Sequence, residues 1–291
     1  MKLLITGAGG QLGQDCVQLM LDRHDICALT SRHLDISDAK AVQETVACIQ
    51  PQVLINCAAY TAVDACETER ERCMIVNAQG PANLAKSCAA FGCRLIHIST
   101  DYVFAGNKAI PEAYLEEDAA GPLSAYGKSK QAGEQAVANF LENHLILRTA
   151  WLYGIGGKNF LKTMLHLAIA DPQRVIRVVN DQHGALTWTA RLAEQIEQML
   201  ASDVTGIVHA TAEGNCTWFA GAKYFLDAMQ VPYSLEPCTT AEYPTPAHRP
   251  ANSILENKRL KTYGLNVMRN WQDDIDEFVR LYREELLEEL K

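Results

Sequence analysis

The chain has 291 residues, 48% of them hydrophobic, enough to bury a large core as one α/β domain or two unequal lobes. A net charge of −9 with no basic tract argues against nucleic acid as a partner, and no apolar stretch approaches the ~20 residues of a membrane span. The chain starts in its first strand with no basic-then-apolar leader, so a cytoplasmic protein is expected, with neither nucleic acid nor membrane as partner.

Lys2 to Thr6 is a short apolar run suited to a buried parallel strand. It breaks into Gly7-Ala-Gly-Gly10-Gln-Leu-Gly13, and a helical pattern runs from Gln11 toward Leu21. Strand, glycine turn and helix in that order are the setting of a dinucleotide fingerprint. The glycines let the backbone approach a pyrophosphate, and the helix N-terminus offers it free N–H groups. The spacing is G-x-x-G-x-x-G rather than G-x-G-x-x-G. The next strand, Ile26 to Thr30, ends in Ser31-Arg32 with no carboxylate until Asp35. A basic residue there suits a 2′-phosphate, so Arg32 points to NADPH, with NADH as the alternative.

Further strand-like runs lie at Val53–Asn56, Arg94–Ser99 and Leu145–Arg148. Helical patterns cover Asp38 to Ile49 with Ser37 as cap, Cys66 to Phe91, and Ala125 to Asn143. The alternation predicts an α/β fold, a Rossmann-type doubly wound parallel sheet over residues 1–153 that binds NAD(P). Past Gly154 helices are expected at Phe160–Ala170, Thr189–Ala201 and Phe219–Met229, with short strands at Val175–Val179 and Gly206–Ala210. The segment Tyr243-Pro-Thr-Pro-Ala-His-Arg-Pro250 cannot be regular helix, and a last helix runs from about Trp271 to Leu290. Residues 154–291 are read mainly as a smaller substrate-binding region, some segments of which return to the first lobe.

Ten cysteines form no C-x-x-C and eight histidines no H-x-x-x-H, so no metal site is expected. Cys27, Cys57 and Cys216 sit in or beside apolar runs, where a thiol acts as a small hydrophobe. Tyr126-Gly-Lys-Ser-Lys130 sets a phenol and an ammonium one helical turn apart. A phenol of pKa ~10 is a poor acid-base group near neutrality unless a neighbour stabilises its anion, as Lys130 would. Alone, the pattern reads better as an exposed helical turn; the glycine loop in the same half gives it weight.

With both features present, the chain resembles an extended short-chain dehydrogenase/reductase. The likeness narrows at Asn56-Cys-Ala-Ala-Tyr-Thr-Ala-Val-Asp64, Ser99-Thr-Asp-Tyr-Val-Phe104 and Pro122-Leu-Ser-Ala-Tyr-Gly-Lys-Ser-Lys-Gln-Ala-Gly-Glu134. It continues through Arg148-Thr-Ala-Trp-Leu-Tyr-Gly154, Lys158-Asn-Phe160, Asp181-Gln-His-Gly184 and Arg249-Pro-Ala-Asn-Ser253. Together these motifs, in order along nearly the whole chain, resemble the dTDP-4-dehydrorhamnose reductase family.

That resemblance implies a catalytic set of Thr100, Tyr126 and Lys130. Cofactor contacts are implied for Gly7, Gly10, Gln11, Leu12, Gly13, Arg32, Asp35, Ile36, Ala58, Ala59 and Tyr60, together with Tyr126 and Lys130. Sugar-nucleotide contacts are implied for Thr100, Asp101, Val103, Phe104, Tyr126, Trp151, Asn159 and Arg249. The expected reaction is hydride transfer from NADPH to the C4 ketone of dTDP-4-dehydro-β-L-rhamnose, giving dTDP-β-L-rhamnose. In it Tyr126 donates the proton, Lys130 lowers the tyrosine pKa, and Thr100 bonds the same oxygen. Ala105, Ala150 and Ser124 depart from the family's usual Asp, Ser and Asn without removing a proton-transfer group. Some members bind Mg²⁺ at a subunit interface; Asp15, Glu284, Glu285, Glu288 and Glu289 offer carboxylates, although a solvated acidic face is the stronger reading. A homodimer stays open. Two other readings compete: a sugar-nucleotide epimerase or dehydratase of the same superfamily, and a non-catalytic NADP-binding regulatory subunit.

Overall fold

Strands whose side chains are apolar on both faces can be buried only between two layers of helix, and the chain builds that sandwich. The computed structural model describes residues 1–289. Five strands come from the first half: β1 (Lys2–Thr6), β2 (Asp25–Leu29), β3 (Val53–Asn56), β4 (Arg94–Thr100) and β5 (His144–Thr149). Beyond them β6 (Leu152–Tyr153) pairs with β9 (Thr187–Trp188), β7 (Val175–Val179) with β12 (Ser234–Cys238), and β8 (His183–Gly184) with β11 (Cys216–Thr217). From among these later segments β10 (Gly206–His209) crosses back and joins the main sheet, whose order is β10-β5-β4-β3-β1-β2, all parallel.

The helices are α1 (Gln11–Met20), α2 (Ala39–Ile49), α3 (Arg70–Met74), α4 (Gly80–Phe91) and α5 (Ala125–Phe140), followed by α6 (Phe160–Ala170), α7 (Thr189–Leu200), α8 (Trp218–Met229), α9 (Lys258–Thr262) and α10 (Trp271–Glu288). Alternate residues of a strand face opposite sides. Leu3 and Ile5 therefore pack with Ile55, Leu145 and Leu147 under α1 and α7, while Leu4 packs with Leu54, Leu95 and Ile146 under α2, α4 and α5. A third core, with Leu161, Trp188, Phe225 and Phe278, joins α6, α8 and α10 into the smaller lobe.

Three helical expectations change. The run from Cys66 to Phe91 is not one helix: a short helical turn at Ala65–Glu67, α3, and a wide π-type turn at Ile75–Gln79 precede α4. The wide turn carries Asn77 inward, where its amide bonds the Tyr60 backbone at both ends and donates to Ser129 Oγ. It also brings the Asn77 carbonyl so close to α5 that a Cβ at Gly133 would lie 2.2 Å from it. Asp38, not Ser37, caps α2, accepting from the Lys40 and Ala41 N–H groups. Helix α5 ends at Phe140, and Leu290, the expected end of the last helix, lies outside the described residues. No helix among the described residues is long and apolar enough to cross a membrane.

Candidate active site

The sheet reverses its strand order between β1 and β3, and in open α/β sheets the crevice at such a switch point is where ligands sit. The glycine loop forms one wall. Gly7 has φ +69°, and a Cβ there would meet the Ala58 backbone nitrogen at 2.4 Å. A Cβ at Gly13 would stand 2.3 Å from the Gly7 carbonyl oxygen, so the helix seats directly on the turn. Gly10 is the N-cap of α1 and supplies no side-chain acceptor, so the first-turn N–H groups stay free for an anion.

The opposite wall is built from β4 and α5. Thr100 closes β4, and Ser124 caps α5 so that Tyr126 falls in its first turn. Tyr126, Lys130 and Glu134 follow at four-residue spacing on the buried face of that helix. The helix can lie this close because a Cβ at Gly127 would sit 2.2 Å from the Tyr102 carbonyl. A cavity of about 450 Å³ runs between the two walls, from Gly10 and Gln11 past Thr100, Tyr126 and Lys130 to Trp151. Thr149 Oγ1 lines it and is buried with no hydrogen-bond partner among the described residues, a polar group left for a ligand.

Electrostatics differ from the sequence expectation. Burial pushes the Tyr126 phenol up, the Asp101 carboxylate adds to the rise, and the Thr100 hydroxyl opposes it. Without a ligand the phenol therefore keeps its proton firmly, and Lys130 Nζ bonds the Ile98 carbonyl at 2.7 Å. Burial lowers Lys130 to about 8, with Glu134 the leading opposing influence. Asp101 is buried beside the phenol, its two oxygens accepting from Thr100 Oγ1 at 2.9 Å and Ser253 Oγ at 2.5 Å. Burial raises it from 3.8 to about 6, the two hydroxyls pulling the other way.

That shift predicts a pH dependence of stability. Since its folded value is the higher one, Asp101 favours the fold while protonated; the contribution is complete below 3.8 and lost as pH rises through about 6. At ~1.4 kcal/mol per unit the change is roughly 3 kcal/mol. Asp101→Asn is expected to flatten this part of the stability curve, read as urea midpoints between about pH 4 and pH 7. A slope equal to that of the unaltered chain would contradict the assignment.

Of the residues singled out in the sequence, Gly10, Gln11, Leu12, Gly13, Ala59, Thr100, Asp101, Tyr126, Lys130, Trp151 and Arg249 line the cavity. Gly7 and Ala58 are not part of its lining and pack against each other. Tyr60 turns its hydroxyl to Glu69 and lies under the Arg72 guanidinium. Arg32 is exposed beyond β2, Asp35 accepts from Ser37, and Ile36 packs under α4 against Gly80. Val103 and Phe104 do not face the cavity; they are buried in a separate cluster with Tyr114 and Leu255, because the turn after Thr100 sends them away. Asn159 caps α6 and bonds Gln11 Oε1 and the Gly154 carbonyl, a tie between lobes. Arg249 reaches the cavity already engaged, by Tyr102 OH at 2.8 Å and Asp64 Oδ2 at 2.7 Å. Among the described residues no group of three or more His, Cys, Asp or Glu gathers as a metal site would require.

Trp218, at the start of α8, also lines the cavity and carries no motif in the sequence. It stacks on Trp151 with ring centroids 3.7 Å apart, and Trp151 holds φ +50°, a left-handed backbone unusual for a tryptophan. Gly184 makes room for this indole: a Cβ there would lie 2.6 Å from Trp151 Cε2.

The family model described as the RmlD substrate binding domain matches residues 1–284. A dTDP-4-dehydrorhamnose reductase of Streptomyces griseus is 43% identical over 285 residues, covering 95% of this chain and 92% of that one. The crystal structure of a dTDP-4-dehydrorhamnose reductase from Clostridium acetobutylicum superimposes with a TM-score of 0.94 at 38% identity, covering 97% of this chain and 100% of that one. A Bacillus anthracis dTDP-4-dehydrorhamnose reductase, solved in complex with NADP, gives a TM-score of 0.93 at 37% identity, covering 96% and 98%. With fold, crevice and near full-length matches in agreement, the chain belongs to the dTDP-4-dehydrorhamnose reductase family and is an oxidoreductase.

Proposed function

We propose that the chain reduces the C4 ketone of dTDP-4-dehydro-β-L-rhamnose with NADPH, in dTDP-rhamnose biosynthesis. The observation that carries this reading is the seating of Thr100, Tyr126 and Lys130 in the same crevice as an uncapped, glycine-lined helix N-terminus. The residues fit a dinucleotide: the backbone of Gly10, Gln11, Leu12 and Gly13 would take its pyrophosphate, and the exposed Arg32 a 2′-phosphate. When bound, NADPH supplies the hydride.

The remaining work falls to the chain's own groups. Thr100 hydrogen-bonds the sugar oxygen and aligns the ketone. Tyr126, held protonated by burial, delivers its proton to that oxygen as it becomes an alkoxide, a base stronger than the phenolate left behind. Lys130, lowered to about 8, returns a proton to the phenolate. Trp151 and Trp218 wall the sugar nucleotide, and Arg249 pairs with its diphosphate while Tyr102 and Asp64 keep the guanidinium oriented.

The test is loss of NADPH absorbance with dTDP-4-dehydro-L-rhamnose generated in situ. Oxidation that depends on Tyr126 supports the reading, and binding of NADPH without turnover of any 4-keto sugar nucleotide overturns it. Gly13→Ala is expected to weaken NADPH binding at least tenfold, about 1.4 kcal/mol, in a fluorescence titration. Its added Cβ must displace the Gly7 carbonyl from 2.3 Å, so unaltered affinity would remove the glycine loop from the cofactor site.

A further inference from the structure

A row of buried polar side chains crosses the sheet behind Lys130. Thr6 of β1 is the register partner of Asn56 on β3, and Asn56 that of His97 on β4. Register partners project to the same face, so the three side chains meet. They are 0–1% exposed, and none belongs to the machinery described above.

The hydrogen bonds along this row have a fixed direction. Asn56 Oδ1 accepts from Thr6 Oγ1 at 2.7 Å and from the Ala58 N–H at 3.1 Å. A backbone N–H can only donate, so the amide oxygen must face that way and Nδ2 must face His97. Nδ2 donates to His97 Nδ1 at 2.9 Å. A neutral imidazole carries one N–H, and here it is left on Nε2. Burial, reinforced by Lys130, holds His97 well below its ordinary range, so the ring is neutral. Its Nε2 lies 3.5 Å from Lys130 Nζ, against 2.7 Å from Nζ to the Ile98 carbonyl. The longer separation is what an N–H donor facing an ammonium gives, because an ammonium has no lone pair to accept with.

We propose that His97, locked as the Nε2–H tautomer by Asn56 and Thr6, is a positioning residue that aims a donor at Lys130 and favours its neutral amine. The inference rests on the catalytic role proposed for Lys130. An amine can accept from Nε2–H and an ammonium cannot, so the two protonation states differ by one buried hydrogen bond. The other groups facing Nζ are Glu134 one turn along α5, Cys73 on α3 and Cys57 after β3. These favour the ammonium, but Glu134 is already held by Arg148 and Ser99. Tyr126 lies one turn the other way, with Asp101 beyond it. His97 thus adds to the lowering by burial, and a lysine at about 8 still carries a proton with which to resupply the phenol after each turnover.

The test uses the intact chain without substrate, so its failure is distinct from absence of 4-keto sugar turnover. Long-range proton–nitrogen correlation spectra report the His97 tautomer, and carbon-labelled lysine reports the Lys130 midpoint. The unaltered protein is expected to show the Nε2–H tautomer and a Lys130 midpoint well below the ordinary ~10.4. Asn56→Asp offers only acceptors to the ring, so it should reverse the tautomer and raise the Lys130 midpoint by about one unit or more. His97→Leu adds no charge and should raise the midpoint as well. An Nδ1–H tautomer in the unaltered chain overturns the proposal. So does a midpoint unmoved by either variant, or moved by Asn56→Asp alone, where the added charge suffices. If neither variant folds, the tautomer in the unaltered chain decides.

Discussion

Tyr126→Phe is expected to lower turnover of the 4-keto sugar nucleotide by roughly 10²–10⁴ while NADPH affinity stays nearly unchanged. The substitution removes only the hydroxyl. The ring keeps its edge-on contact with Tyr102, at 5.5 Å between centroids, and its packing against Cys66 and Cys73. Thr100 and Asp101 keep their own hydrogen bond when the phenol hydroxyl is removed. The proposed cofactor cradle lies across the cavity on α1, so binding and chemistry should separate. Steady-state kinetics and a fluorescence titration on the same preparation check both halves. Equal losses in both would mean that Tyr126 shapes the site rather than moves a proton.

Glu134→Ala is expected to cost about 3–5 kcal/mol of folding stability. Glu134 and Arg148 are each 4% exposed and joined twice, Nε to Oε1 at 2.9 Å and Nη2 to Oε2 at 2.7 Å, with Ser99 Oγ donating to Oε1 at 2.5 Å. Removing the carboxylate strands a guanidinium between α5 and β5, where Arg148 Nη1 already lacks a partner among the described residues. The measurement is urea unfolding. A double substitution, Glu134→Leu with Arg148→Met, should recover much of the loss, because two apolar side chains leave no buried charge behind. If the single and double variants are equally destabilised, packing volume rather than charge governs the site. The same pair fastens α5 against β4 and β5, so the single variant should also loosen the alignment of Tyr126 with Thr100.

What could be read from the sequence follows how local each signal is. The glycine turn, the cofactor-side strand and the Tyr126/Lys130 face depend on spacings of a few residues, and geometry within one element preserves them. Proximity in a motif misled at Val103 and Phe104: they follow Thr100 directly, yet the turn at Asp101–Val103 swings them into another cluster. Trp218 was silent because only the tertiary fold brings α8 to the cavity, and Ser253, though part of a motif, gave no sign of its bond to Asp101. The break at Ile75–Gln79 was hidden too, since apolar periodicity runs through it and the reason for the wide turn, Asn77 reaching Tyr60 and Ser129, lies on other elements. Arg249 was legible as a cation in a proline-rich loop, but its anchoring by Asp64 was not.

The return of β10 to the sheet bears on synthesis at the ribosome. When residues through β5 have emerged, that strand's outer edge is bare and Leu145 and Leu147 await α7, which is still to be translated. At ~5–20 residues per second the nascent chain spends seconds presenting an unpaired parallel edge, the kind of surface on which chains join one another. A fragment ending at Tyr153 would hold that state permanently. Residues 1–153 are therefore no portable module, and the later segment carrying β10 is the stitch that finishes the sheet.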